Sequence, residues 1–224
     1  MKAYHFLKQD MTAGSGSEPA WKVGETRTYS GKVRLCHTGY HSSRTWYDAL
    51  RYAPEGMACI VDVSKPIEWD DDKQASATRT LVACRDASGI LRLYTADCAA
   101  HVLHIFEKLQ PNDTRPRDTI EVARRYANGD ATDQELRVAR DAAWDAAKEP
   151  TDDPVFNAAF EAAESAAWAA SEAEVAVVRA AAEAAAGAAG DAEDAEIKWQ
   201  RRRLNRYMKN LFKEVLHEKR MEDW

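Results

Sequence analysis

The sequence predicts an α+β protein. A small N-terminal sheet with one short helix is expected over residues 1–94, followed over residues 95–224 by an α-helical bundle that ends in a long antiparallel helical hairpin. Three observations predict this. Short apolar runs separated by turn residues fill the chain up to Tyr94 and then stop. Beyond that point apolar residues recur at three- and four-residue steps. The last third is rich in alanine, with glycines at a single turn.

In order, "KAYHFL" and "GKVRLCHTG" read as strands, and "RTWYDALRYA" carries Trp46, Ala49, Leu50 and Ala53 at helical spacing. "MACIVDVS" is the clearest strand, Met57 to Val63, entered through Pro54-Glu55-Gly56. "SATRTLVACRDASGILRLY" reads as a strand pair turning at Asp86-Ala87-Ser88-Gly89. A helix with Val102, Ile105, Phe106 and Leu109 on one face follows, then a second with Ile120, Ala123 and Ala127 that stops at Asn-Gly. Thr132 and Glu135 form a capping box that starts a third helix running to about Lys148. Asp153-Pro154 restarts the chain as an Ala-rich helix, where small side chains let two helices approach closely. Gly187 and Gly190 turn it into a last helix with Ile197, Leu204, Met208, Leu211 and Val215 as its stripe.

At 224 residues the chain suffices for one large domain or two small ones, and 45% hydrophobic content excludes wholesale disorder. "MKAYHFLKQD" lacks the apolar core of a signal peptide, and the Ala-rich runs are broken by Glu and Arg, so a soluble cytoplasmic protein without a membrane segment is expected. The four cysteines are well separated, with no C-x-x-C pair, and read as reduced thiols.

The net charge of −6 hides an asymmetry. From Asp130 to Glu196 there are 17 acidic against four basic residues, and from Ile197 to Arg220 nine basic against two acidic. Pairing across the hairpin is one outcome, with exposed pairs contributing little each. The other is an acidic surface that imitates nucleic-acid phosphate and covers a binding site on a partner protein, with salt-sensitive association. The basic helix, with Lys198, Arg201, Arg202, Arg203, Arg206 and Lys209 among aromatics, has the composition of a nucleic-acid contact and equally of a helix–helix seam. The acidic balance argues against direct nucleic-acid binding.

Chemistry-bearing residues cluster in "CHTGYHSSRTWYDALRYAPEG". Cys36, His37 and His41 are metal-ligand types, but completing a set would draw on Cys59 or Cys84 in expected buried strands, so no metal is assigned. Asp97, Cys98, His101 and His104 form a second cluster, where histidines that satisfy backbone groups are expected. "AGSGSEPAW" lacks the following helix that a phosphate cradle requires, and no G-x-S-x-G elbow supports a serine hydrolase.

Through "AYHFL", "KVGET", "LCHTGYHSS", "DALRYAPEG" and "IVDVS", the first half resembles a domain of unknown function common in bacteriophage and prophage proteins. Residues 97–147, "DCAAHVLHIFEKLQPNDTRPRDTIEVARRYANGDATDQELRVARDAAWDAA", are similar to a helical module of bacterial proteins labelled as immunity proteins. These resemblances imply a mobile-element setting and no known reaction. A weaker similarity, to ADP-ribosyltransferase folds, rests on His5, Gly39-Tyr40-His41-Ser42 and Ala49-Leu50-Arg51-Tyr52. It implies that His5 contacts an NAD ribose and that Tyr40 or Tyr52 stacks on nicotinamide. The acidic residue such folds use has no clear counterpart, Glu68 being the candidate.

The expectation is therefore a non-enzymatic, protein-binding factor of phage or prophage origin, without a cofactor. It would inhibit a host defence or nucleic-acid-binding protein by covering its surface, led by Asp145, Glu161, Glu164, Glu172 and Glu174. The Ala-rich hairpin would also suit a homodimer seam. The alternative is an ADP-ribosyltransferase-like enzyme using NAD through His5, Tyr40 and Tyr52, and convergence of those three side chains in one cleft would favour it.

Overall fold

A computed structural model describes residues 1–65, 68–147 and 175–215. The α+β class holds: strands come first, then helices, ending in a long one. The chain divides into two compact units. One is Met1–Ala87 together with Leu204–Trp224, of which 204–215 are described, and the other is Ser88–Arg203.

The first unit contains β1 (Lys2–Leu7), β2 (Thr26–Thr28), β3 (Tyr40–Ser42), α1 (Trp46–Leu50), β4 (Met57–Val63), β5 (Glu68–Trp69), β6 (Gln74–Ser76) and β7 (Thr78–Asp86). Its main sheet is antiparallel in the order β1-β4-β7-β2, and a smaller one runs β3-β6-β5. Side chains alternate between faces along a strand. On β1, Ala3 and Leu7 join Trp21, Tyr40, Cys59, Val61, Val63, Leu81 and Cys84 in one buried cluster. On the other face Tyr4 and Phe6 meet Trp46 at ring distances of 4.3 and 5.8 Å, and Phe212 stacks on Trp46 at 5.4 Å. Ile60 pairs with Ala83 but Val61 with Leu81, leaving Val82 as an extra residue on β7. That bulge shifts the alternation by one, which is why Leu81 and Cys84 share a face. His5, Cys59 and Cys84 consequently stand side by side across three strands, with the two thiols 2.8 Å apart.

Two expected strands take other forms. "GKVRLCHTG" is a tight turn closed by an Arg34–Thr38 bridge, with Cys36 at φ 64°. The strand of this region is Tyr40–Ser42, just beyond it. "GILRLY" is the start of a helix rather than the second arm of a hairpin. Leu91, Tyr94, Thr95 and Cys98 are all buried, a three- and four-residue spacing that outweighs the local alternation.

The second unit is helical. It contains α2 (Ser88–Leu109), α3 (Arg115–Ala127), α4 (Asp133–Ala147), α5 (Val175–Ala188) and the first part of α6 (Glu193–Leu211), the unit boundary falling inside α6. The expected capping box opens α4. Thr132 Oγ1 accepts the Glu135 N–H at 3.2 Å, and the Glu135 carboxylate accepts the Thr132 N–H at 2.8 Å. That carboxylate is held down to about 2, first by the Thr132 backbone and then by Arg125. Asn128 and Gly129, the latter at φ 82°, end α3 as expected. Gly187 stays within α5, while Gly190, at φ 51°, makes the turn. The buried residues along α6 are Glu196, Gln200, Leu204 and Met208, continued by Phe212, one per four residues. Leu204 and Met208 were expected there, whereas Ile197, Leu211 and Val215 are only partly covered.

Candidate functional site

A cleft of about 780 Å³ opens in the sheet unit. The sequence itself places its walls. β1 gives Tyr4 and His5, the loop before β2 gives Gly14–Gly16 and Glu18, β3 gives Tyr40–Ser42, α1 and the turn after it give Ala49 and Tyr52, and β6 with β7 brings Lys73 and Arg79 close by. Thr45 fixes the start of α1 by accepting the Asp48 N–H at 3.1 Å. Gly39, at φ 91°, lets the chain turn into β3, since a Cβ there would lie 3.0 Å from the Ser76 carbonyl oxygen and from Val33.

His5, Tyr40 and Tyr52 all line this one cleft. His5 sits on the core-facing side of β1, and its Nε2 has no hydrogen-bond partner among the described residues. Burial, and then the charge of Arg79, hold its pKa well below the usual imidazole range. Tyr40 forms a wall: only 8% exposed, it meets Trp21 edge-on at 5.6 Å and lies 5.0 Å from the Arg79 guanidinium. Tyr52 lies at the rim, where its hydroxyl donates to Asp72 at 2.7 Å and accepts from Lys73 at 3.2 Å. Glu68 is not among the lining residues; its carboxylate accepts the Leu35 N–H, and the acidic residue of the lining is Glu18.

His41 is a structural histidine. Its Nε2 accepts the Cys36 N–H at 2.9 Å, closing the turn, and burial lowers its pKa despite a bond to the Gly39 backbone that raises it. Among the described residues no three His, Cys, Asp or Glu side chains group as a metal site.

The residue that sequence reasoning missed is Arg79. It is 4% exposed, on β7 in phase with buried Leu81. Its guanidinium packs 4.4 Å from the Trp21 ring and donates a hydrogen bond to the His41 carbonyl at 3.3 Å. Burial lowers its pKa to about 10, so it remains charged at neutral pH. The signal was present in the sequence as a charged residue at an inward strand position.

In the helical unit the second cluster resolves into two contacts. Asp97 accepts Arg124 at 3.0 Å from α3 and Arg203 at 2.6 Å from α6. His101 pairs with the buried Glu196 and stacks on Trp199 at 3.8 Å. His104 contacts the His101 carbonyl within its own helix, a histidine satisfying a backbone group. Arg203 of the basic stretch thus turns to α2. Lys198, Arg201, Arg202, Arg206 and Lys209 are exposed.

Of the expected acidic contact residues, Asp145 stands on the outer face of α4 in an exposed row with Gln134, Arg137, Val138 and Asp141. Val138 is 57% exposed at the middle of that row. Glu161, Glu164, Glu172 and Glu174 lie outside the described residues, as does most of the expected Ala-rich helix. No helix among the described residues is long and apolar enough to cross a membrane.

Comparison with known families assigns both halves. Residues 86–207 match the model described as Imm-5 like putative immunity protein, and residues 1–93 match a domain of unknown function, DUF7666. The first match spans more than half of the chain, which therefore belongs to the Imm-5 like family. No curated protein and no solved structure matches it.

Proposed function

We propose that this chain, as a member of the Imm-5 like family, works as an immunity-type protein that binds a partner protein through its helical unit and blocks it, without catalysing a reaction. The observation that carries the reading is the extent of the family match, residues 86–207, which contains the whole helical unit, Ser88–Arg203. The interior of that unit supports a preformed binding surface. Asp97 ties α2, α3 and α6 together, and Thr119 ties α3 to α4 by donating to the Ala139 carbonyl at 2.7 Å. The outer row of α4 is then presented on a fixed frame, with an exposed apolar residue inside a polar rim, the layout of a protein contact.

The finer reading is a phage or prophage factor whose partner is a host nucleic-acid-binding protein. It draws on the acidic stretch from Asp130 to Glu196, which a basic nucleic-acid groove would attract over a distance. Asp145, Glu161, Glu164, Glu172 and Glu174 would lead the contact. The test is affinity capture from a bacterial lysate at low and high salt, followed by reconstitution of the purified pair and assay of the partner's own activity. The expected result is one partner, inhibited on binding, released by salt and lost when these five residues are changed to Asn or Gln. A partner held equally by the neutralised variant and at high salt would remove the acidic face from the mechanism. Binding carried by residues 1–87 alone would refute the reading.

A further inference from the structure

We infer that the cleft of the sheet unit is a binding site for a small phosphate-bearing molecule of nucleotide size, anchored on Arg79. This site is independent of partner binding by the helical unit. Two arginines flank Trp21, and their surroundings differ. Arg27, 4.1 Å from the ring, is met by Glu25 at 2.7 Å and Glu18 at 3.7 Å. Arg79, directly across the β2–β7 ladder from Arg27 and more buried, has no carboxylate within ion-pair distance among the described residues. A guanidinium has five N–H donors in a planar fork, and Arg79 directs one to a carbonyl. Glu18, on the same cleft, attracts Arg79 from beyond ion-pair distance while it pairs with Arg27; a buried charge that is only partly countered is costly, and a ligand anion placed beside Arg79 would offset that cost.

The groups around Arg79 fit the same ligand. His5 and Lys73 line the same cleft, His5 with its Nε2 unpartnered among the described residues and close enough to Arg79 to feel its charge. Two cationic side chains and a polar nitrogen, against the single carboxylate of Glu18, suit an anion with several oxygens, and the guanidinium fork matches phosphate bidentately. Tyr40, Tyr52 and the apolar Ala49 line the same cleft, and a cavity of about 780 Å³ is in the range of small-molecule sites. The ligand class that combines a planar ring with a phosphate is a mononucleotide or a dinucleotide containing one.

The experiment titrates the full chain with AMP, NAD, inorganic phosphate and citrate, read by calorimetry and by the shift in Tm. AMP or NAD is expected to bind and raise Tm, inorganic phosphate to compete, and citrate to give no heat. Lys73→Gln, at the partly exposed rim, is expected to weaken AMP binding by about tenfold, the loss of one charge-assisted contact, with the ligand-free Tm lowered only slightly by loss of the exposed bond to Tyr52. Arg79→Lys keeps the charge and loses the fork, and is expected to abolish binding. No heat from any phosphate compound at millimolar concentration overturns the proposal, as does AMP binding to Lys73→Gln at wild-type strength. Citrate binding as tightly as AMP would assign the site to carboxylates instead, and release of nicotinamide from NAD would replace binding with catalysis.

Discussion

Replacing Asp97 by Ala removes the acceptor that holds three helices together. The carboxylate is 10% exposed and takes Arg124 Nη2 at 3.0 Å and Arg203 Nη2 at 2.5 Å, while the two guanidiniums remain about one-third exposed. Removing one partner of a fully buried pair costs about 3–5 kcal/mol. Water can still reach both arginines here, so the expected cost is at the lower end, ~3 kcal/mol. With a urea slope of about 2 kcal/mol per molar for a unit of this size, the unfolding midpoint falls by roughly 1.5 M. Far-UV circular dichroism follows the helical unit, whose described elements are all helical. A cycle with Arg203→Ala isolates the pair, and a coupling of about 1–3 kcal/mol is expected. Arg203 lies on α6 while Arg124 lies on α3, so Asp97→Ala should exceed either single arginine variant. A loss below about 0.5 kcal/mol, or coupling indistinguishable from zero, would refute the view that this carboxylate organises the unit.

Three further outcomes follow from the geometry. Gly39→Ala places a Cβ at 3.0 Å from Ser76 O and from Val33 at a φ of 91°, so it should destabilise the sheet unit by about 1–3 kcal/mol; an unchanged Tm would show that the turn can relax. Thr132→Ala removes the capping box of α4 and should cost about 1 kcal/mol of helical-unit stability, whereas Thr132→Ser should cost a few tenths; equal losses in the two would show that the hydroxyl is not the cap. His5 has a folded pKa below its unfolded value of about 6.5, so the unfolded chain binds the extra proton first. Its contribution is complete above pH 6.5 and is lost as pH falls below it. Denaturation midpoints measured from pH 7 to pH 5 should therefore decline more steeply in the wild type than in His5→Gln, by up to about 1.4 kcal/mol per pH unit, and parallel slopes would contradict this.

By itself the sequence determined what periodicity and local chemistry control. β1 and β4 were legible because each is a short, apolar strand bounded by turn residues, and α1, α3 and α4 because apolar spacing coincided with cap residues such as Thr132, Glu135 and Asn128. Local signals failed where two periods overlapped. "GILRLY" alternates like a strand, yet Leu91, Tyr94, Thr95 and Cys98 are inward only on a helix, and just the packed unit chooses between the two. "KVRLC" has strand composition, but the left-handed Cys36 and the Cys36–His41 bond close it into a turn.

The candidate site was half legible. His5, Tyr40 and Tyr52 were named from a resemblance, and the fold brings them to one cleft. What the sequence could not supply is which of them is already committed: Tyr40 to Trp21 and Arg79, Tyr52 to Asp72 and Lys73. The importance of Arg79 arises from pairing across strands, because only the sheet puts Arg27 beside it and gives the available carboxylates to Arg27. Likewise Glu196 and Gln200 look like solvent-facing positions in a charged helix, and tertiary structure buries them against His101 and the Ala182 carbonyl. Periodicity is set by neighbours in sequence, and so it is written there. The pairing of charges and the ownership of hydrogen bonds are set by neighbours in space, often a hundred residues away, and only the folded chain decides them.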